Sequence, residues 1–365
     1  MSSNTPIDIV YLWVDGNDPV WRKKRQRAAA ALCPTALAMH GNVEGRFRDN
    51  DELRYSLRAL ERFFPGHGHV YIVTDAQRPD WLKPSAGLTV IDHQQLIAST
   101  ALPTFDSGHI ESYIHRIKGL SERFFYLNDD VFFGAPVRVE DWFSDSGIYS
   151  AWSDEPLVSD EPLRPDANAL ENACRASTHW LRASAAANST GQLRATAAAN
   201  STAPLRATGV AEASAGLRTF AHAPRPLLKS LIFELERLAP EVFERTRSTV
   251  FRVWDKPPVI SDLLLRWALS RGIVAMRAYE QLHLDTGNVD PFNCLEQLKT
   301  DFGRLDFFCI NDTTDDAHSH DPRLLRVRLA LQQLLPEPSC FERQRVELLP
   351  RQHAAQPSLR QLQPA

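Results

Sequence analysis

The sequence Asn128-Asp129-Asp130 follows directly after the apolar run FFYL. Two adjacent carboxylates at the end of a strand repel each other unless a cation or an arginine lies between them. Hard divalent ions such as Mg²⁺ and Mn²⁺ prefer carboxylate and phosphate oxygens, and such a pair can hold them against a diphosphate. Adjacent aspartates also serve as caps and turn formers in loops. The motif therefore predicts a divalent-cation site, with a structural turn as the alternative.

A dense mixture of arginine and acidic residues lies at 46–55, in the sequence RFRDNDELRY. Asp51 could cap a following helix, and the arginines could bind phosphate through bidentate hydrogen bonds. A surface network of salt bridges is the alternative, and for this segment alone it is the more ordinary explanation.

Two further segments carry histidine. Glu111 and His115 are four residues apart, a spacing that suits an acid–base couple or a metal pair on one helical face. The pattern is not HExxH, so no zinc protease is indicated, and a histidine at a cap or core edge is the structural alternative. His222 precedes Pro224-Arg225-Pro226, where proline fixes the backbone direction, and Arg252 adds a further cation.

The elements that must position these residues alternate between strands and helices. Apolar runs rich in β-branched and aromatic residues predict strands at 7–14, 70–74, 88–91 and 124–127. Helical patterns lie at 51–64 and 109–120. This order predicts an α/β fold, Rossmann-like, with a mostly parallel sheet flanked by helices. The strands end in Asp15, Asp75, Asp92 and Asp129-Asp130. Ligands bind at this edge of such sheets, although acidic turn residues are also common after strands.

The middle of the chain has low complexity. Leu-Arg recurs at 181, 193, 205 and 217 in a background of alanine, serine and threonine. One large apolar residue per repeat is too little for a solenoid core, so we predict a mobile or weakly helical insertion. We divide the chain into an N-terminal part of the catalytic domain (1–150), the insertion (151–218), a C-terminal catalytic part (219–335) and a disordered tail (336–365).

Beyond the insertion, periodicity predicts helices at 227–238 and 259–269 and a strand at 307–310 that ends at Asn311-Asp312. A basic amphipathic helix is predicted at 323–335. It could touch a membrane surface, although a solvated helix face is the more ordinary explanation.

Composition excludes several classes of protein. The net charge of −4 gives no general attraction to nucleic acid, so polyanion binding must come from local arginines. The five cysteines form no CxxC pair and indicate neither a zinc knuckle nor a disulfide framework. The N-terminus does not resemble a signal peptide, and no apolar run approaches the ~20 residues that cross a bilayer. We expect a cytoplasmic protein.

Several long segments together resemble the Stealth family of sugar-phosphate transferases. That family contains bacterial capsular polysaccharide phosphotransferases and the α/β subunit of the lysosomal-enzyme N-acetylglucosamine-1-phosphotransferase. The matching stretches are IDIVYLWVDGNDPVW from Ile7, RDNDELRYSLRALERFFPGHGHVYIVTDAQRPDWL from Arg48, LPTF from Leu102, HIESYIHRIKGLSERFFYLNDDVFFG from His109, HAPRPLLKS from His222 and FFCINDTTDD from Phe307. They cover residues 7–143 almost continuously, and RDNDELRYSLR and YLNDD are specific motifs.

The resemblance implies a Rossmann-like core, a UDP-linked amino-sugar donor and a divalent cation, Mg²⁺ or Mn²⁺. We predict catalytic roles for Asp130, His222, Arg252, Arg225 and His115. We predict substrate contacts from Asp15, Arg48, Asp49, Asn50, Glu52, Arg54, Arg116 and Asn128, and metal ligation by Asp129, Asp130 and Asp312. The chain departs from the family where Arg225 replaces a second histidine of the lysosomal relative, which leaves the general base open between His222 and His115. The alanine-rich repeats replace ordinary connecting sequence, so no function transfers to them.

We therefore predict transfer of a hexose 1-phosphate, an N-acetylhexosamine 1-phosphate by resemblance, from a UDP-sugar to a hydroxyl of a saccharide acceptor. The product would be a phosphodiester-linked capsular polysaccharide. The alternative is a metal-dependent glycosyltransferase that transfers the sugar alone and releases UDP. Peripheral contact with the inner membrane or the capsule-synthesis machinery is a further expectation, and nucleic acid is not an expected partner.

Overall fold

The computed structural model describes residues 6–195, 217–256, 258–287, 291–318 and 320–343. Its strands are β1 (Asp8–Leu12), β2 (Val70–Thr74), β3 (Leu88–Asp92), β4 (Arg123–Asn128), β5 (Val131–Phe133), β6 (Ile148–Ser150), β7 (Arg225–Leu228), β8 (Val274–Met276), β9 (Gln281–Asp285) and β10 (Phe307–Asn311). Its α-helices are α1 (Pro19–Ala29), α2 (Glu52–Phe63), α3 (His93–Leu96), α4 (Ser107–Glu111), α5 (Ala169–Ala195), α6 (Lys229–Leu238), α7 (Pro240–Thr246), α8 (Leu264–Ser270), α9 (Pro291–Asp301) and α10 (Pro322–Leu334). A π-helical turn, Val259–Leu263, leads into α8.

The main sheet has the strand order β3-β2-β1-β4-β7. The first four strands are parallel, and β7 runs antiparallel to β4 at the edge. All residues of β1 and β2 are buried, as expected for parallel strands covered on both faces. The predicted α/β fold with a mostly parallel sheet flanked by helices is confirmed.

A second, smaller sheet continues from the end of β4. Only Asp129 and Asp130 separate β4 from β5, and β5 pairs antiparallel with β10, which in turn pairs parallel with β9. A two-stranded sheet of β6 and β8 completes the strands of the described residues. The turn between β4 and β5 therefore lies where the two larger sheets meet.

Two of the predicted helices differ from the structure. The segment 109–120 is not one helix, because α4 ends at Glu111, a single 3-10 turn spans Ile114–Arg116, and Gly119 takes a positive φ of 88°. The prediction of a helix from residue 227 was wrong for its first two residues, which belong to β7. Pro226 is tolerated there because β7 is an edge strand.

Buried side chains extend into two of the ranges predicted to lie outside the core. Val158 and Cys174 are buried, and α5 packs against α8 and the turn before it. Helix α5 includes the first repeat, while residues 196–216 lie outside the described residues. Near the C-terminus, Phe341 and Glu342 are buried. The Glu342 carboxylate pairs there with two arginines of α2. Residues 344–365 lie outside the described residues, and the four-part division of the chain stays a prediction.

Helix α10, the candidate membrane-contacting helix, packs against α9. It buries Leu324, Val327 and Leu331, whereas Leu329 remains exposed. Most of its apolar face is therefore covered by the protein itself. Among the described residues, no helix combines the length and the apolar character that a membrane span requires.

Candidate active site

The site forms where the strand order of the main sheet reverses, between β1 and β4. Leu12 and Asn128, the last residues of these strands, are neighbours in the ladder. Ligands of open α/β sheets bind outside the carboxyl ends of the strands at such a switch point. The chain continues from β1 to Asp15 and from β4 to Asp129 and Asp130, which places these acids at the crevice.

Four carboxyl groups crowd together on one side of the crevice. Burial, and then the charge of Asp130, raises the pKa of Asp129 well above its usual range. Burial raises the pKa of Asp130 to about 6. Burial and neighbouring acids raise the pKa of Asp49 to about 7 and that of Glu52 to about 8. Asn50 stabilises the Glu52 carboxylate, because its backbone N–H and its Nδ2 donate to it at 2.5 and 2.9 Å.

This group fits a hard divalent cation. Asp130 Oδ1 is buried and accepts no hydrogen bond from a described residue, although the Asp130 side chain is 18% exposed and can be reached by a ligand. Carboxylate oxygens are the ligands that Mg²⁺ and Mn²⁺ prefer, and a cation would remove the mutual repulsion. Asp15 belongs to the same neighbourhood, since its charge contributes to raising the pKa of Asp49.

Three arginines lie near Asp130 and His222: Arg46, Arg225 and Arg252. Each has a buried Nε atom with no hydrogen-bond partner among the described residues. Arg46 and Arg252 both donate to Ser107 Oγ, at 3.2 and 2.6 Å. Burial, and then the positive charge of Arg252, lowers the pKa of Arg46 to about 9. Asp106 Oδ1 lies 3.6 Å from Arg252 Nε, but one carboxylate does not balance three guanidinium groups. The set can still bind an anion, and phosphate matches the fork of a guanidinium.

Arg225 is the clearest member of this set. It is 6% exposed, and its guanidinium forms no hydrogen bond or ion pair with any described residue. In the ladder it faces Tyr126, and its Cζ lies 5.9 Å from the centre of the Tyr126 ring. A buried charge without a partner is costly, which indicates that its partner is a ligand.

His222 lies between the carboxylates and the arginines. Its Nε2 is 2.9 Å from Asn128 Nδ2 and 3.8 Å from Asp130 Oδ1, and its Nδ1 is 3.6 Å from Cys309 Sγ. Burial, and then the charge of Arg225, holds the pKa of His222 well below its usual range. The imidazole is therefore neutral, and Nε2 presents a lone pair because Asn128 Nδ2 donates to it.

A chain of hydrogen bonds holds Asn128 in this orientation. The Tyr126 hydroxyl lies 2.6 Å from Asn128 Oδ1 and 2.9 Å from Glu111 Oε1, to either of which it can donate. Ser261 Oγ donates to the other Glu111 oxygen at 3.0 Å. Because Asn128 Oδ1 faces Tyr126, the amide nitrogen must face His222. Glu111 therefore helps to orient Asn128 through Tyr126. It is not the partner of His115, as its spacing had suggested.

Four predicted residues have their charges satisfied elsewhere in the fold. Arg48 pairs with Asp312 and donates to Ala317 O at 2.7 Å, and Asp312 Oδ1 accepts from Thr286 Oγ1 at 3.0 Å. Arg54 pairs with Glu342 at 2.5 Å. Arg116 Nη2 donates to Glu236 at 2.7 Å. The contacts of Arg48, Arg54, Arg116 and Asp312 are internal to the protein, so the function proposed below does not use them.

His115, the second candidate base, belongs to a separate polar cluster. Its Nε2 lies 2.8 Å from Glu236 Oε2, and Glu236 also pairs with Arg116 and Arg247. Burial lowers the pKa of His115 to about 4. No hydrogen bond in the described part of the chain joins His115 to the crevice, which favours His222 as the base.

Asp75 and Asp92, at the ends of β2 and β3, lie away from the switch point. Asp75 pairs with Lys24 at 2.5 Å, and Asp92 caps α3 by accepting from Gln94 N at 2.8 Å. These two strand ends thus have local structural roles. Arg46, Tyr126 and Cys309 were not selected from the sequence. Arg46 was visible within the arginine-rich segment, but nothing in that segment distinguished it from Arg48.

The switch point of this mostly parallel α/β sheet thus carries crowded carboxylates, which suit a cation, and buried arginines, which suit an anion. Comparison with known sequences identifies the family. Residues 5–33 match Stealth protein CR1, conserved region 1, and residues 46–151 match Stealth protein CR2, conserved region 2. The chain belongs to the Stealth family.

Relatives extend the similarity over nearly the whole chain. The capsular polysaccharide phosphotransferase WcwK of Streptococcus pneumoniae is 31% identical over 92% of this chain and 99% of WcwK. The exopolysaccharide phosphotransferase SCO6023 of Streptomyces coelicolor is 37% identical over 93% of this chain, and CpsY of Mycobacterium tuberculosis strain H37Rv is 30% identical over 92%. This chain spans 52% of SCO6023 and 58% of CpsY, about half the length of these relatives.

One solved structure has a weaker likeness. The galactosyltransferase LgtC, in complex with donor and acceptor sugar analogues, aligns over 91% of this chain and 96% of its own with 10% identity and a TM-score of 0.38. A likeness at this level carries no argument about function.

Proposed function

We propose that the protein transfers a sugar 1-phosphate from a UDP-sugar to a hydroxyl of a saccharide acceptor, with release of UMP. The observation that carries this proposal is a group of four carboxylates next to three arginines whose buried Nε atoms have no hydrogen-bond partner among the described residues. Carboxylates alone would suit a cation and arginines alone an anion. The two together suit a diphosphate that is held with a divalent ion. The family resemblance supplies the uridine and the N-acetylhexosamine.

Phosphoryl transfer asks a protein mainly for positioning and for neutralisation of charge. Arg225 and Arg252 would bind the oxygens of the diphosphate. Arg46, which shares the Ser107 hydroxyl with Arg252, would add positive charge near them. Asp129 and Asp130 would hold Mg²⁺ or Mn²⁺, with Asp49 and Glu52 nearby, and the ion would offset the negative charge of the diphosphate. Asp15 and Asn50 stay candidate donor contacts.

His222 would accept the proton of the acceptor hydroxyl. The acceptor oxygen bonds to the sugar-side phosphorus, the bond from that phosphorus to the oxygen of UMP breaks, and the hydroxyl proton passes to Nε2. Asn128 would give up its hydrogen bond to Nε2 as the acceptor hydroxyl arrives. Neutralisation of the arginines by bound phosphate would raise the pKa of His222, because their charges are among the causes that now lower it.

The nucleotide product tests the proposal. Purified protein with Mg²⁺ or Mn²⁺, a UDP-N-acetylhexosamine and an oligosaccharide acceptor should release UMP in step with a phosphodiester product, measured by chromatography. Release of UDP would contradict the proposal and favour the alternative, a glycosyltransferase that moves the sugar alone. His222→Ala should lose UMP release. The variant Asp92→Asn should keep it, because Asp92 only caps α3.

A cytoplasmic location and peripheral contact with the inner membrane or the capsule-synthesis machinery remain predictions from the sequence.

A further inference from the structure

Three side chains beside the carboxylates have a different chemistry from the rest of the site. One ligand atom each of His222, His283 and Cys309 lies within 4.8 Å of the other two. His283 and Cys309 are register partners on the parallel strands β9 and β10, so their side chains project from the same face of the small sheet. His222 reaches this face from the segment before β7.

The distances suit a four-coordinate ion. His222 Nδ1 lies 3.6 Å from Cys309 Sγ, and usual zinc bond lengths in a tetrahedron place a nitrogen and a sulfur ligand about 3.5 Å apart. Asp130 Oδ2 is also 3.6 Å from Cys309 Sγ and is available as a fourth ligand. The His283 ligand atom lies within 4.8 Å of the other two, and its exposed ring is free to turn toward a bound ion.

We propose that His222, His283 and Cys309, with Asp130, form a site for a borderline-soft divalent ion such as Zn²⁺, distinct in ligand type from the carboxylate site for Mg²⁺ or Mn²⁺. Nitrogen and sulfur ligands select zinc over the hard ions, whereas carboxylates do the reverse. As the metal–sulfur bond forms, the thiol proton of Cys309 leaves to solvent. The exposed His283 marks the side from which the ion enters.

Occupation of this site would inhibit transfer. A metal on His222 Nδ1 would leave the ring proton on Nε2, so Nε2 could not accept the proton of the acceptor hydroxyl. Asp130 would also be drawn away from the carboxylate group. This consequence rests on the proposed function, whereas metal binding itself does not. Zinc would therefore act as an inhibitor in the presence of excess Mg²⁺.

Cobalt spectroscopy tests the binding. Metal-stripped protein titrated with Co²⁺ should develop the strong visible bands of a four-coordinate ion and a near-ultraviolet sulfur-to-cobalt charge-transfer band, both saturating at one equivalent and both removed by Zn²⁺. Cys309→Ser should lose the charge-transfer band. Cys174→Ser, at an equally buried cysteine whose contacts are with Arg266 and Arg218, should keep it. A weak six-coordinate spectrum that is unchanged by Cys309→Ser would show binding at carboxylates only and would overturn the proposal.

His283→Ala provides a second variant that does not disturb the core, because His283 is exposed. It should weaken Co²⁺ binding at least tenfold and should leave transfer in Mg²⁺ near the wild-type rate. Zinc inhibition should then require at least a tenfold higher concentration than in the wild type. Unchanged Co²⁺ affinity in this variant would remove His283 from the site and refute the proposal. A charge-transfer band without zinc inhibition would leave the metal site standing and would reject His222 as the base.

Discussion

At the scale of single residues, the site is an arrangement of charges that the protein does not satisfy by itself. Asp130 has an unpartnered buried oxygen, and Arg225 has no anionic partner among the described residues. Both conditions cost free energy of folding, because buried charges are stable only when paired or hydrogen-bonded. A phosphorylated ligand with a divalent ion would satisfy both groups together.

Replacement of Asp130 by asparagine separates function from stability. Asp130→Asn should reduce transfer at least about 100-fold, the usual cost of removing one electrostatic contact to a reacting group. The melting temperature should stay the same or rise, because the pKa of Asp130 is raised to about 6 and its ionised form is therefore unfavourable in the fold. Nucleotide release and thermal melting, measured on the same preparation, check both effects. Near-full activity in Asp130→Asn would refute the role of Asp130.

The pH dependence of the rate should differ between free and substrate-bound protein. Burial and arginine charges hold the pKa of His222 well below 6.5 in the free protein. A base must be neutral, so kcat/KM should not lose activity through His222 until the pH falls well below 6.5. Bound phosphate cancels the arginine charges and raises this pKa, so the acidic limb of kcat should lie at higher pH than that of kcat/KM. The pH profiles of kcat and kcat/KM give the two acidic limbs. Limbs at the same pH would mean that bound phosphate does not raise the pKa of His222.

At the scale of elements, the strands of the main sheet were predictable and their tertiary partners were not. The runs that form β1, β2, β3 and β4 are short, apolar and β-branched or aromatic, and each is followed by a turn, so local sequence is sufficient to identify them. Strand β7 was missed because RPLL merges into the periodic pattern of α6 and because its partner β4 is about a hundred residues away. Pairing between distant strands leaves no local signal.

The same limit applies to the site. Strand ends predicted the position of Asp129 and Asp130, because parallel strands present their carboxyl ends at one edge. Sequence could not show which of the four acidic strand ends would lie at the switch point, since that depends on strand order. Nor could it show that Arg46 faces the crevice while Arg48 pairs with Asp312, which is 264 residues away.

The pair of Arg48 and Asp312 joins the segment before α2 to the segment after β10. Both side chains are at most 10% exposed, so Arg48→Met should leave a buried carboxylate uncompensated and lower the free energy of unfolding by about 3 kcal/mol. The double variant Arg48→Met with Asp312→Asn should recover part of that loss. Urea denaturation of the wild type, both single variants and the double variant measures the coupling. Additive losses would show that the pair does not join these segments.

A matched control for that cycle lies on the surface. Arg138 pairs with Asp141 at 2.7 Å, but the Arg138 side chain is 65% exposed. Arg138→Met should have little effect on stability, because solvent screens exposed ion pairs.

At the scale of the whole molecule, the site is shared between two distant parts of the chain. Arg46, Asp129 and Asp130 come from the part before the repeats, whereas His222 and Cys309 come from the part after them. The contacts among these residues, such as Asn128 with His222 and Asp130 with Cys309, connect the two parts directly. A ligand that bridges them should therefore stabilise the molecule as a unit.

Stabilisation by Mn²⁺ should depend on pH in a direction set by the carboxylates. The pKa values of Asp49 and Glu52 are raised from 3.8 and 4.5 to about 7 and about 8. A raised pKa means that these groups favour the fold while protonated, and this contribution is lost as the pH rises through the folded values. The metal-free protein should thus lose stability between about pH 5 and pH 8. Mn²⁺ must displace these protons at low pH but not at high pH, so the rise in melting temperature caused by Mn²⁺ should grow from pH 6 to pH 8.

The control for this measurement is Asp129→Asn with Asp130→Asn, which should show a small rise from Mn²⁺ at every pH. Melting curves with and without Mn²⁺ at three pH values, for wild type and double variant, are sufficient. A rise that is independent of pH in the wild type, or equal in the double variant, would mean that Mn²⁺ binds away from the crevice. In that case the crowded carboxyl groups would stay protonated at neutral pH, and the diphosphate would have to be neutralised by Arg46, Arg225 and Arg252 alone.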